Sequence, residues 1–267
     1  MIRTQPDQSF EYGHDDRERQ VVHVLQPVGR ATPRPGVILL HGGGPTGGTP
    51  LQDLDWAEPL AARGYVALMV GYRLFDLETR RSPWPTQLED VQRAVRWVRA
   101  HAEALGVDPS RIGAMGHSSG GHLAGLLGTT DVLHDHDPGL RGCSSRVDCV
   151  VSIAADADLM VPYRDAETTR VVSAWLGGTV GEAPDAWRTA SPTHNVDSHT
   201  VPFLVLHGTR DESVPLQMSR NLAVALSTAG VDHIFAELDA GHHDIGISEA
   251  ARTRWLEFLA ERLHPER

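Results

Sequence analysis

Gly116-His117-Ser118-Ser119-Gly120 places a serine between glycines two residues away on either side, the pattern G-x-S-x-G. A serine hydroxyl is a weak nucleophile until a base takes its proton, and its turn must push Oγ into the open. The run Arg111–Gly116 before it reads as a strand, and the small-residue run Ser119–Leu127 after it reads as a helix. That context suits a strand-to-helix turn with an exposed nucleophile. A Cβ at 116 or 120 would collide with the neighbouring strand and helix, which explains both glycines. The helix N-terminus beneath Ser118 favours developing negative charge. Without its context the same pattern is only a glycine-rich turn.

An attacked carbonyl needs N–H donors for its developing oxyanion. His41-Gly42-Gly43-Gly44 follows the apolar run Gly36–Leu40 and leaves backbone N–H groups unobstructed. Gly43, Gly44 and the N–H of Ser119 are the candidate donors. A phosphate-binding loop fits less well, because G-x-G-x-x-G and a following Lys-Ser/Thr are both missing. His41 is assigned to tying down the loop.

Fifteen histidines make a base easy to find, so position must decide. Asp211 follows the run Pro202–His207 in HGTRDESVP, and His242 follows His233–Leu238 in DAGHHD. Both leave the carboxyl ends of expected parallel strands, the edge where Ser118 also sits and where α/β sheets build sites. Glu212 and His243 compete for the same roles. His242 is preferred because it directly follows the glycine turn, and His207 is assigned a structural role. His242-His243-Asp244 and His134-Asp135-His136-Asp137 are the alternative metal clusters. Neither has the i, i+4 spacing of a zinc protease helix, so no metal is expected.

The elements around these residues alternate. Strands are expected at Gln20–Leu25, Gly36–Leu40, Tyr65–Tyr72, Arg111–Gly116, Val147–Ala154, Pro202–His207 and His233–Leu238. Helices are expected at Asp55–Arg63, from Pro85 to Gly106, and at Ser119–Leu127, Ala166–Leu176, Pro215–Ala229 and Ser248–Leu263. Leu88, Val91, Val95, Val98 and Ala102 share one face of the long helix. In the last helix, Trp255, Phe258, Leu259 and Leu263 point inward. The pattern predicts an α/β fold with a mainly parallel central sheet flanked by helices. One domain over residues 1–267 carries a small inserted cap at about 155–198, a connection long enough to be a lid. Trp56, Trp84, Trp175 and Trp187 are candidates for lining the pocket or for ordinary packing.

Composition narrows the function. The 24 basic and 35 acidic residues leave a net charge of −11, which argues against nucleic acid as a partner. No apolar run is long enough to span a membrane, and the polar N-terminus shows no signal-peptide core. The cytoplasm is the default compartment. Cys143 and Cys149 are therefore read as reduced thiols, although their spacing could close a small loop.

Taken together, these pieces resemble the α/β-hydrolase superfamily from about Phe10 to His264. The closer likeness is to small esterases of the hormone-sensitive-lipase and bacterial feruloyl-esterase-like groups. It is carried by HGGG at His41, GYRL at Gly71, VDPSRIGAMGHSSGGHLA at Val107, ASPTHNV at Ala190, HGTRDESVP at His207 and AGHHD at Ala240. The chain order Ser, Asp, His matches as well. The resemblance implies Ser118 as nucleophile, Asp211 as acid, His242 as base, no cofactor, and a small-molecule ester as substrate. The sequence departs from the pattern at Pro45, where an aromatic is usual, and at Ser119, where alanine is common. It departs again at His243-Asp244. The expected activity is serine carboxylic-ester hydrolysis of short-chain or small acyl esters. Alternatives are an amide hydrolase (formamidase or aminopeptidase-like) and a binding protein on the same scaffold. A homodimer is left open.

Overall fold

The computed structural model describes residues 5–16, 19–29, 33–132 and 137–263. In chain order the elements are Gln8–Glu11 (β1), Val21–Leu25 (β2), Arg34–Leu40 (β3), Leu54–Ala61 (α1), Val66–Val70 (β4), Thr86–Ala100 (α2), Ala102–Leu105 (α3), Val107–His117 (β5) and Ser119–Thr129 (α4). They continue with Cys149–Ile153 (β6), Ala166–Trp175 (α5), Pro184–Thr189 (α6), Phe203–Gly208 (β7), Leu216–Thr228 (α7), His233–Leu238 (β8), His242–Ile247 (α8) and Glu249–Leu263 (α9). The strands form one sheet in the order β1-β2-β4-β3-β5-β6-β7-β8. β2 runs antiparallel to both neighbours, and every pairing from β4 across to β8 is parallel. The carboxyl ends of β5, β7 and β8 therefore lie on one edge, as the placement of Ser118, Asp211 and His242 requires.

The continuous apolar runs exist because the central strands are covered on both faces. In β3, Ile38 and Leu40 enter the core layer of α2, α4 and α7, while Val37 and Leu39 enter the layer of α1 and α9. Leu88, Val91, Val95, Val98 and Ala102 are buried in the first layer. Trp255, Phe258, Leu259 and Leu263 are buried in the second. A third cluster of Phe75, Leu159, Val172, Trp175, Leu176, Trp187 and Ala190 sits under α5 and α6.

Besides α6 and α8, where no helix was expected, three details differ from expectation. The helix from Pro85 breaks at His101 (φ −107°, ψ 16°) before α3 and ends at Gly106, whose φ of 67° forms a left-handed cap. β5 begins at Val107 rather than at Arg111. Its pairing with β3 shifts register between Arg34 and Gly36, and Asp108 closes a local turn by accepting from Ser110 N and Oγ. The Asp108-Pro109 turn is thus an interruption within one ladder. The third detail is β1, whose exposed residues pair with β2 at Gln8↔Val24 and have no hydrophobic pattern.

Cys143 and Cys149 are unbonded. Among the described residues no helix is long and apolar enough to cross a membrane.

Candidate active site

Ser118 joins β5 to α4 with φ 55° and ψ −127°, a backbone that non-glycine residues adopt only under constraint. The constraint is the close crossing of β3, β5 and α4. A Cβ on Gly116 would run into the Gly120 backbone, and one on Gly120 would run into Leu40 O. Ser118 N–H donates to Ile153 O at 2.9 Å, which fixes the turn to the end of β6. Ser118 Oγ is free of hydrogen bonds to the described residues.

Ser118 and His242 line one cavity of about 390 Å³ with Gly44, Ser119, Tyr72, His122, Asp156 and Trp175. The loop that carries Gly43 (φ 125°) and Gly44 (φ 64°) needs glycine at both positions. The N–H groups of Gly43, Gly44 and Ser119 donate to no described residue. Such unpaired donors at a helix start and a glycine turn are what an oxyanion requires. Gly44 and Ser119 line the cavity. His41 holds this loop: its ring stacks on Tyr72 at 4.2 Å, and the Tyr72 hydroxyl donates to His41 O at 2.7 Å. Burial holds its imidazole down at about 4.

Asp211 follows β7, and His242 opens α8 beyond β8. His242 Nδ1 donates to Asp211 Oδ2 at 2.7 Å. Asp211 Oδ1 accepts from Ser213 N and Val214 N, each at 2.8 Å. His207 Nε2 lies 3.3 Å from Oδ2 and 3.1 Å from Val214 O, and its Nδ1 accepts from Ser219 Oγ at 2.7 Å. Burial alone would raise the Asp211 carboxyl. The hydrogen bonds from His207, His242 and Val214 outweigh it and hold the group well below the usual range, so it stays ionised. His207 is fully buried, and its contact with Asp211 was not visible in the sequence. Glu212 and His243 are exposed. The geometry therefore pairs Asp211 with His242 and leaves both competitors aside.

Of the four tryptophans considered, Trp175 lines the cavity, with Nε1 donating to Gln87 Oε1 at 2.8 Å. Trp84 packs edge-on against it at 5.5 Å. Trp187 donates to Gly178 O and Trp56 to Gly246 O. Among the described residues no group of three or more His, Cys, Asp or Glu is arranged to hold a metal ion. His134, Asp135 and His136 lie outside the described residues.

The mostly parallel sheet, the serine on a tight strand-to-helix turn, and the acid and histidine beyond later strands make up an α/β-hydrolase fold. The chain belongs to the BD-FAE family, whose model matches residues 22–226. It is 30% identical to Esterase LipC of Mycobacterium tuberculosis over 83% of this chain and 55% of that protein. It is 32% identical to Esterase LipQ of the same organism over 74% of this chain and 48% of that protein. The chain thus spans about half the length of these curated relatives. Among solved structures, a truncated carbohydrate esterase from gut microbiota superposes with a TM-score of 0.85 at 24% identity, covering 98% of both chains. Propionate-bound Est2, an esterase from Thermogutta terrifontis, superposes at 0.76 and 26% identity, covering 95% and 92%.

Proposed function

We propose that this protein is a serine carboxylic-ester hydrolase acting through an acyl-enzyme on short-chain or small acyl esters. One observation carries the reading: His242, paired with a buried Asp211, shares a cavity with a strained, half-buried Ser118 and with Gly44 and Ser119, whose N–H groups donate to no described residue. In this mechanism Ser118 attacks the ester carbonyl while His242 Nε2 takes its proton. Contacts of this kind often tighten only when substrate is bound. Gly43, Gly44 and Ser119 N–H groups hold the oxyanion. His242 then protonates the leaving alcohol, and water releases the acyl group by the same route. Asp211 fixes the imidazole tautomer and offsets its positive charge.

Residues 155–198 act as the cap in this reading, since Asp165, Thr168, Val172 and Trp175 of that segment line the cavity. The preference for small acyl groups fits a cavity of this size. It also fits the propionate- and butyrate-bound structures of Est2. The named relatives are esterases, and the amide-hydrolase alternative draws no support from them. A cytoplasmic location accords with two unbonded cysteines.

The test uses p-nitrophenyl esters of increasing acyl length with the wild type and Ser118→Ala. Turnover should fall with chain length and drop by several orders of magnitude in the variant. Equal rates in both proteins would remove Ser118 from the mechanism. Turnover that holds or rises with chain length would refute the small-acyl preference.

A further inference from the structure

His117 is the residue before the serine, and nothing in the reaction above uses it. Its ring lies between Trp56 and the two histidines that open α8. The ring centroids are 4.5 Å from His242, 6.3 Å from His243 and 6.4 Å from Trp56, the last edge-on. Its Nε2–H donates to the backbone carbonyl of His242 at 2.8 Å. This hydrogen bond joins the neighbour of Ser118 directly to the peptide of His242.

The base needs such an anchor. It opens a helix of only six residues that has no side-chain N-cap. Short helices are marginal by themselves, so α8 depends on tertiary contacts. Trp56 Nε1–H holds the far end of α8 by donating to Gly246 O at 3.0 Å. Asp211 holds the imidazole by Nδ1. Among the described residues, only His117 ties the backbone of His242 to the strand that ends at the nucleophile. A shift of the base by about 1 Å can cost on the order of 100-fold in rate.

Resting on the esterase reading, we infer that His117 is a positioning residue that sets His242 over Ser118 by donating Nε2–H to the His242 carbonyl. The donor is available across the working pH range. Burial, then the electrostatic influence of His242, hold the His117 imidazole down at about 4, with His243 acting in the same direction and the bond to the His242 carbonyl and Asp211 opposing. A carbonyl accepts at Nε2, so the neutral ring carries its proton there.

The test compares His117→Phe, which keeps an aromatic ring without the donor, with His117→Gln, whose amide nitrogen lies the same number of bonds from Cα. With p-nitrophenyl acetate, His117→Phe should lower kcat by roughly 10- to 100-fold with little change in KM. His117→Gln should recover most of the loss. Loss of packing alone predicts equal losses in both variants, with no recovery in His117→Gln, and that result overturns the assignment. So does an unchanged kcat in His117→Phe. If His117→Phe does not fold, His117→Met takes its place in the same comparison. Wild type and Ser118→Ala are assayed alongside. Absence of Ser118-dependent turnover sinks the esterase reading and this role with it. Ser118-dependent turnover that His117→Phe leaves intact sinks this role alone.

Discussion

Replacing Asp211 with asparagine tests the orientation of the base without removing a side chain. Oδ1 of Asp211 is held by the N–H groups of Ser213 and Val214. An asparagine is therefore forced to keep its oxygen there. Its NH2 then takes the place of Oδ2, facing the Nδ1–H of His242 and the Nε2–H of His207. His207 retains Val214 O as an acceptor. Among the described residues His242 has no such alternative, so it must switch tautomer, which moves its proton to Nε2 and leaves no lone pair for the Ser118 proton. A base locked in the wrong tautomer costs roughly 10⁴ in kcat. That corresponds to about 5 kcal/mol of barrier. Loss of the charge-assisted hydrogen bond should cost folding about 1.5–3 kcal/mol, so the variant should remain folded. The assay is p-nitrophenyl acetate turnover near pH 8, with melting followed in parallel. KM should change little, and exposed Glu212→Gln should stay close to wild type. A loss below about tenfold in a folded Asp211→Asn protein would refute the orientation argument. A large loss in Glu212→Gln would transfer the role to that residue.

Two further outcomes follow from charge. His41 and His117 are both held from 6.5 down to about 4 by burial, so the unfolded chain binds protons that the folded chain refuses. Stability should therefore fall as pH drops from 6.5 towards 4, by up to about 3 kcal/mol for each group. Asp211 acts lower still. Its depressed carboxyl stabilises the fold above the ordinary carboxylate range and loses that contribution only as pH falls below it. A melting temperature that stays flat through the upper window would contradict the histidine assignments. Among the described residues, the cavity is lined by Asp156, Asp165 and Glu212 and by no arginine. Repulsion on the order of 1 kcal/mol should make monomethyl succinate a poorer substrate than dimethyl succinate by roughly tenfold at neutral pH. Asp156→Asn should narrow that gap, and faster hydrolysis of the anionic monoester would rule the effect out.

The features legible in the sequence are those whose cause is local. β3, β4, β6 and β7 are buried on both faces, so each is a bare apolar run that needs no partner to be recognised. The serine turn was equally plain, because Gly116 and Gly120 are dictated by contacts within a few residues of it and by one crossing strand. The elements that stayed hidden are those made by distant contacts. β1 has no buried face and exists through its ladder with β2. α8 reads as a loop in HHDIGI, and it becomes a helix where Trp56 and His117 hold its carbonyls from far along the chain. His207 could be placed at a strand end from the sequence, yet its grip on Asp211 depends on how the turn after β7 folds back. The residues proposed to react were thus readable as residue types in order, while the groups proposed to aim them were not. Aim is set by backbone carbonyls and N–H groups, and these carry no signature of their own in a sequence.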